Sequence, residues 1–465
     1  MFFGRESELK VLENTSSKKG FQMTVIYGRR RIGKSKMITQ FLKGKRGSYY
    51  LATKASLAKN IQSWAEQFIG DINPQAEGAS FANADKFFQF MANSCKGERT
   101  IIALDEIPYI AEAEPAFLSI FQKAIDTYFS DTNIYLIICG SAVSFMENEV
   151  LSEKSPLFGR RTNQIFLKPF GFKDSALFVP NYTPEEKAIV YGVTGGVAKY
   201  LTLFDDSLSL DQNLINNFFS KSGYLYEEPQ NLLTQEFRNI VSYNSVITVC
   251  AGGANKVNEI ADKSHISTAA LTYILNSLIT VGIMSKISAI TEEKNKKKTK
   301  YEITDGMYKF WYKFVQNASA AIEMESGEKY YYANVKPRLH EFMGGIFEHI
   351  CREYTLICGL EGKLDCFVSK TGTWWGANRE HVQTDIDVVG LDESAKRAVI
   401  GECKFKNEEM DKSSYTALLE RKGLIDAGYS EVQLLLFSLS GFSKWLTEEC
   451  DDKSVKLISI DEIYS

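Results

Sequence analysis

The eight residues Gly28-Arg-Arg-Arg-Ile-Gly-Lys-Ser35 constrain this 465-residue chain more than any other stretch. Their spacing, G-x-x-x-x-G-K-[ST], is that of a loop whose backbone N–H groups surround the phosphates of a nucleoside triphosphate. Gly28 and Gly33 allow the sharp turn. Arg29, Arg30, Arg31 and Ile32 span it. Lys34 reaches the β- and γ-phosphates, and the Ser35 hydroxyl holds Mg²⁺. The flanks agree with this reading. Met23–Tyr27 is expected as a buried strand, and the segment beginning at Lys36 as a helix whose N-terminus meets the anion. Strands alternating with helices then imply a parallel α/β sheet with nucleotide at its C-terminal edge.

A second strand carries acids. Thr100-Ile-Ile-Ala-Leu-Asp-Glu106 is an apolar run that ends in two adjacent carboxylates. There Asp105 is expected to hold Mg²⁺ in its outer shell and Glu106 to polarise the attacking water. The plainer alternative is a parallel strand that ends in acidic loop residues. Ser48–Lys54 reads as a further strand, with helices near 56–70, 84–95 and 113–130. Ile134–Cys139 reads as a strand that runs into Gly140-Ser141. Ser141 either contacts the γ-phosphate or simply turns the chain.

Together with Phe3-Gly-Arg-Glu6, Pro156-Leu-Phe-Gly-Arg-Arg161 and Thr194-Gly-Gly-Val-Ala-Lys-Tyr200, these segments resemble the AAA+ superfamily. They look most like the archaeal-type P-loop ATPases shared by archaea and bacteria. The resemblance covers roughly the first half of the chain. It implies ATP and Mg²⁺ as cofactors, and an opening Gly-Arg-Glu segment near the adenine. It also implies that Arg160 and Arg161 are arginine-finger candidates acting in cis or in trans. A solvated salt bridge is the other reading of two adjacent arginines. One departure is visible: the family's usual proline after Gly-Gly-Val is Ala198 here, which weakens any inference about lid rigidity. Residues of about 171–225 read as that helical lid.

From Glu236 the pattern changes. A helix near 234–250, a short helix over Lys256–Asp262 and a third with Leu271, Ile274, Leu275 and Leu278 on one face come in order. The alternating run Ile283–Ile290 and its partner Tyr301–Thr304 follow, joined by Glu293–Lys300. This is the order of a winged helix-turn-helix. Lysines 294, 296, 297, 298 and 300 suit contact with DNA phosphates. Thr268, Thr272 and Asn276 on the recognition helix promise little base reading. A solvated loop on a protein-contact module is the competing reading. The aromatic stretch Met307–Phe314 reads as packing rather than base stacking.

The last third joins Phe342–Glu353, a helix carrying Glu348, to two strands, Asp385–Gly390 and Ala398–Phe405. Asp387 and Glu402 at neighbouring strand ends suit a hard divalent ion, with Glu348 completing its shell. Lys404 shares a face with Glu402 and is the candidate catalytic cation. Asp385 is a second ligand or a polar face residue. Trp374, Trp375 and Asn378–His381 either meet DNA or cover the sheet. A cross-strand ion pair would give the same Glu-x-Lys pattern. The order resembles the PD-(D/E)xK nuclease-like fold over roughly residues 335–460, and the domain of unknown function found behind this ATPase type.

Four domains are therefore expected: an ATPase core over 1–170, a lid over 171–230, a winged helix over 231–320 and a restriction-endonuclease-like α/β domain over 321–465. The expected function is ATP hydrolysis coupled to a DNA-associated, Mg²⁺- or Mn²⁺-dependent nuclease-like domain. The rival is a regulatory ATPase switch with a catalytically inert C-terminal interaction module. A homo-oligomer or a protein partner fits either reading. Eight scattered cysteines without a C-x-x-C pair suggest reduced thiols in a cytoplasmic protein. No apolar run is long enough to span a bilayer, so no membrane partner is expected.

Overall fold

The computed structural model describes residues 2–292, 299–378, 380–425, 428–450 and 452–465. Lys294, Lys296, Lys297, Lys298 and Arg379 lie outside them. Two compact units form, one of residues 1–170 with 197–199, the other of residues 171–196 with 200–465.

The first unit is built on five parallel strands: β1 (Gln22–Tyr27), β2 (Gly47–Leu51), β3 (Thr100–Asp105), β4 (Ile134–Gly140) and β5 (Asn163–Phe166). Their order is β2-β3-β4-β1-β5. Both faces are covered, so the strands are apolar throughout. Met23, Val25, Ile102, Leu104, Leu136 and Ile138 join one core with Trp64, Phe68, Phe88 and Phe121. Ile26, Ile101, Ala103, Tyr135 and Ile137 join the other with Met37, Ile38 and Phe41. Each such side chain contributes roughly 1.5–3 kcal/mol on burial. The helix Lys34–Leu42 starts at Lys34, two residues earlier than expected. The helix expected over 113–130 runs over 117–129, its last five residues widened to a π-helix, and a separate short helix precedes it. Ile107–Ala113 ends at Glu114, whose extended backbone precedes Pro115, and a new helix starts at Phe117. Proline's ring clashes with a helical residue before it.

The second unit contains the helices Pro184–Thr194 and Leu210–Phe218, then Tyr224–Glu236 and Ile240–Ala251. The single helix expected near 234–250 is interrupted because Phe237 turns extended, and its ring stacks on Tyr243 at 3.8 Å. Val257–Ser264 and Thr268–Thr280 follow, then the antiparallel hairpin β6 (Met284–Ser288) and β7 (Thr299–Ile303). Leu271, Ile274, Leu275 and Leu278 are buried, as their spacing required, and Thr268, Thr272 and Asn276 are exposed. Met307, Tyr308, Phe310, Trp311 and Phe314 are buried too, so the aromatic stretch packs the interior.

A 22-residue helix, Leu339–Leu360, leads to a second sheet. Its strands are β8 (Lys370–Ala377), β9 (Gln383–Asp392), β10 (Arg397–Lys404), β11 (Ser430–Ser438) and β12 (Val455–Ser459), in the order β12-β11-β10-β9-β8. The first three run antiparallel, whereas β10, β11 and β12 are parallel. The β10-to-β11 connection carries the helix Lys412–Glu420, as parallel pairing requires. Ile386, Leu391, Ile400, Leu434 and Leu436 form this sheet's core with Leu418 and with Trp374. Trp374 is thus a covering residue.

Candidate functional site

At the C-terminal edge of the first sheet, β1 delivers the chain into the glycine loop. Gly28 adopts φ 149° and Gly33 φ 94°. A Cβ on Gly28 would stand 2.3 Å from the Leu167 carbonyl oxygen, so only glycine fits. Lys34 is buried, and its ammonium donates to the carbonyls of Gly28 at 2.8 Å and Arg29 at 2.9 Å. Arg31 accepts from the backbone N–H of Lys199 at 3.0 Å. Arg30 donates to the Tyr109 hydroxyl at 3.2 Å, Ile32 is buried, and Lys36 is exposed.

The acids meet this loop from two strands away. Asp105 is fully buried at the end of β3, and its Oδ2 accepts from the Ser35 hydroxyl at 2.5 Å and from the Tyr49 hydroxyl at 2.6 Å. Its Oδ1 accepts from the Glu106 N–H at 2.9 Å. Burial, and then the Asp105 charge, hold the Tyr49 phenol well above its ordinary pKa, so it stays a donor. Glu106 takes a left-handed backbone, φ 55°, and its Oε2 accepts from the Ser141 N–H at 3.1 Å. The Ser141 hydroxyl is buried with no hydrogen-bond partner among the described residues. That set of oxygens, with an orphaned hydroxyl beside them, fits a hydrated divalent ion and a phosphate.

Motif spacing does not single out Tyr49 or Arg5. Arg5 donates to the carbonyls of Ile32 at 3.3 Å and Lys168 at 2.7 Å, and so ties the opening segment to the loop. The family resemblance marks its Phe3-Gly-Arg-Glu6 segment, in which Gly4 and Arg5 both take positive φ. Arg160 stands elsewhere, while the charge of Arg161 reaches the Tyr27 phenol just before the loop. Thr162 donates to the Met23 carbonyl, which puts this segment level with the start of β1 rather than its end. At about 3.3 Å per residue, Gly28 lies some ~16 Å further along. Arg160 makes a two-pronged ion pair with Asp126, 2.7 Å on each prong, and Arg161 donates to the Leu151 carbonyl.

In the second unit, β9 and β10 pair Val388 with Gly401. One step further along that register, Asp387 stands opposite Glu402. Asp387 Oδ2 accepts from the Cys403 N–H at 2.9 Å. Burial, then the charges of Glu402 and Glu348, raise its pKa well above the carboxylate range. Glu348 is raised as well, chiefly by burial, and Arg352 lies 3.5 Å away. Glu402 is buried, but both of its oxygens are engaged: Lys404 holds Oε1 at 2.6 Å and Arg421 holds Oε2. Among the described residues no group of three His, Cys, Asp or Glu side chains is arranged to hold a metal. The shell expected from Glu348, Asp387 and Glu402 is therefore not assembled, because two cations already neutralise Glu402. Lys404 is an ion-pair partner here. Arg421 carries no motif signal, whereas Arg352 stands at i+4 from Glu348, a spacing that marks a helical pair.

Residues 2–204 match a family described as an ATPase domain predominantly from Archaea. Residues 311–415 match one described as archaeal and bacterial proteins of unknown function. The uncharacterized protein MJECL04 of Methanocaldococcus jannaschii is 30% identical over 411 residues, 88% of this chain and 88% of that one. The uncharacterized protein MJ0424 of the same organism is 44% identical over 55 residues, 12% of this chain and 53% of that protein. Among solved structures, a Walker-type ATPase of Pyrococcus abyssi is 19% identical, with a TM-score of 0.48 over 67% of this chain and 96% of that one. The Aeropyrum pernix ORC2 protein is 15% identical, with a TM-score of 0.44 over 69% and 95%. Among the described residues no helix is long and apolar enough to cross a membrane.

Proposed function

This chain belongs to the family of its near-full-length archaeal relative, with an ATPase domain of the type found predominantly in Archaea, and we propose that it is an ATP-hydrolysing switch whose second unit engages nucleic acid. The observation that carries the first part is the contact of Ser35, Asp105 and Tyr49 beside a buried Lys34. Mg²⁺ bound with the nucleotide would be held by Ser35 and, through water, by Asp105, and would offset phosphate charge. Lys34 exchanges the carbonyls of Gly28 and Arg29 for phosphate oxygens. Glu106 leaves the Ser141 N–H to orient the attacking water, and Ser141 turns toward the γ-phosphate. Arg160 is too far along the sheet to serve its own loop, so its phosphate partner belongs to a neighbouring copy in a homo-oligomer. Glu106→Gln tests this reading: nucleotide should still bind, while turnover falls by roughly 10²–10⁴-fold. Wild-type turnover would remove Glu106 from the reaction.

A second reading, a metal-dependent nuclease centre at Asp387, Glu402 and Glu348, has support in the burial, and then the charges of Glu402 and Glu348, that raise Asp387. The helix–strand–strand–strand–helix–strand order of the second unit also supports it. The ion pairs of Glu402 with Lys404 and Arg421 favour the rival, an inert interaction module.

A further inference from the structure

A cavity of about 290 Å³ in the second unit serves no step described above. Lys300, Lys309, Glu348, Arg352, Trp375 and Asp385 line it. A neighbouring recess of about 540 Å³ shares Lys300, Trp375 and Asp385, so one groove continues past the indole and on to Lys256.

Two cations in this groove are held ready for an anion. Among the described residues no hydrogen bond or ion pair reaches the Lys309 ammonium. It lies 3.6 Å from where a Cβ on Gly345 would stand, in space that any longer side chain there would occupy. Burial lowers its pKa. The charges of Lys313 and Arg352 act in the same direction, and those of Glu302 and Glu348 oppose it without closing to an ion pair. Arg352 is anchored through one nitrogen, Nη1, at 2.8 Å from the Asp387 carbonyl and 3.5 Å from Glu348. Its remaining N–H groups have no partner among the described residues. A fixed guanidinium fork and an unpaired ammonium in one cavity match a phosphodiester.

The third feature is aromatic. The Lys300 ammonium sits 4.2 Å from the Trp375 ring centroid, so a cation covers a face on which a base can stack. We infer that this groove binds single-stranded nucleic acid, with a backbone phosphate between Lys309 and Arg352 and a base on Trp375 in place of Lys300. Stacking needs a base freed from its duplex, which selects the single strand. The carboxylates of Glu302, Glu348 and Asp385 share the groove and oppose a small free anion. A strand offsets them through stacking and through further phosphates at Lys256 and Lys300. The inference deepens the proposed nucleic-acid association and rests on that reading, independently of ATP hydrolysis and of cleavage.

The test is fluorescence anisotropy on the full chain, with a labelled oligothymidylate, a duplex of equal length, and inorganic phosphate as competitor. The single strand should bind more tightly than the duplex and quench tryptophan emission, and phosphate should compete poorly. Trp375→Leu should weaken single-strand binding roughly 5- to 150-fold, and Trp375→Phe should restore most of it. Lys309→Gln should weaken binding and lower the log–log salt slope by about 0.7. Thermal melting of each variant separates lost contact from lost fold, and Lys309→Gln carries the test if the Leu variant unfolds. Duplex binding with no preference for the single strand, and unchanged in Lys309→Gln and Trp375→Leu, overturns the groove while nucleic-acid association stands. No binding to either nucleic acid overturns both.

Discussion

Lys34 shows how a side chain waits for its ligand. Its buried ammonium would be costly if unpaired, so it closes on the carbonyls of its own loop. Lys34→Ala should leave the fold intact, since those carbonyls can accept water, yet abolish tight ATP binding. Each lost charge-assisted contact is worth roughly 1.5–3 kcal/mol. Calorimetry with ATP checks it, and wild-type affinity would remove the lysine from the phosphate site. This residue was legible because its chemistry demands fixed spacing. Tyr49 was not, because a tyrosine on a strand has no spacing rule and its bond to Asp105 depends on the pairing of β2 with β3. At the second acidic site, Glu-x-Lys was legible as a pattern but not as chemistry. Lys404 shares the strand face of Glu402, as a period of two requires, but Arg421 settles on it from a position that no periodicity encodes. If the nuclease reading holds, saturable Mn²⁺ binding independent of ATP should appear by calorimetry and disappear in Asp387→Asn, a weaker ligand for a hard ion. Absence of metal binding in the wild type leaves the inert module.

Elements with a strong period were readable, and those decided by a single residue were not. The helix carrying Leu271, Ile274, Leu275 and Leu278 follows from spacing alone. The helix end before Pro115 and the interruption at Phe237 depend on one backbone angle or one ring stack. The helix Leu339–Leu360 carries a consequence that its amphipathic pattern hides. Glu353 is held against Gly171, where a Cβ would stand 2.2 Å from Oε1. Burial, then the charge of Asp174, raise its pKa to about 7, with the Phe172 N–H opposing. The unfolded chain ionises this group near its ordinary value of 4.5, so between 4.5 and 7 the folded chain retains a proton that the unfolded chain loses. Its contribution to stability is therefore full below that window, falls as pH rises through it and is level above. Glu353→Gln should remove that slope. Melting temperatures of the two proteins across the window decide it, and parallel curves would mean that Glu353 ionises freely in the fold.

At the scale of the molecule, the sequence reading divided the chain by motif, whereas packing divides it by contact. Residues 197–199 pack with the first unit, where Lys199 donates to the Arg31 carbonyl and the Ala198 Cβ lies 3.5 Å from a Cβ built on Gly33. Ala198, which read as a departure from the family's proline, thus stands against the phosphate loop. A return over more than 160 residues leaves no trace in local composition. The proposed assembly is likewise invisible to local pattern. Arg160 holds Asp126 at the strand-start side of the parallel sheet, so on the proposed reading its guanidinium would serve a phosphate across an interface. The Asp126 pair is partly exposed and therefore weak, so a phosphate can compete for the arginine. Two inactive variants should then repair each other. Lys34→Ala lacks a working nucleotide site but retains its arginine, and Arg160→Ala has the reverse defect. Each alone should hydrolyse ATP poorly. Mixed, the arginine of the first completes the site of the second, and turnover should rise above the sum of the two alone. An arginine finger can be worth about 10³-fold or more, so even a minority of correctly paired interfaces would be measurable. Strictly additive turnover at concentrations where the copies associate would show that Arg160 does no more than pair with Asp126.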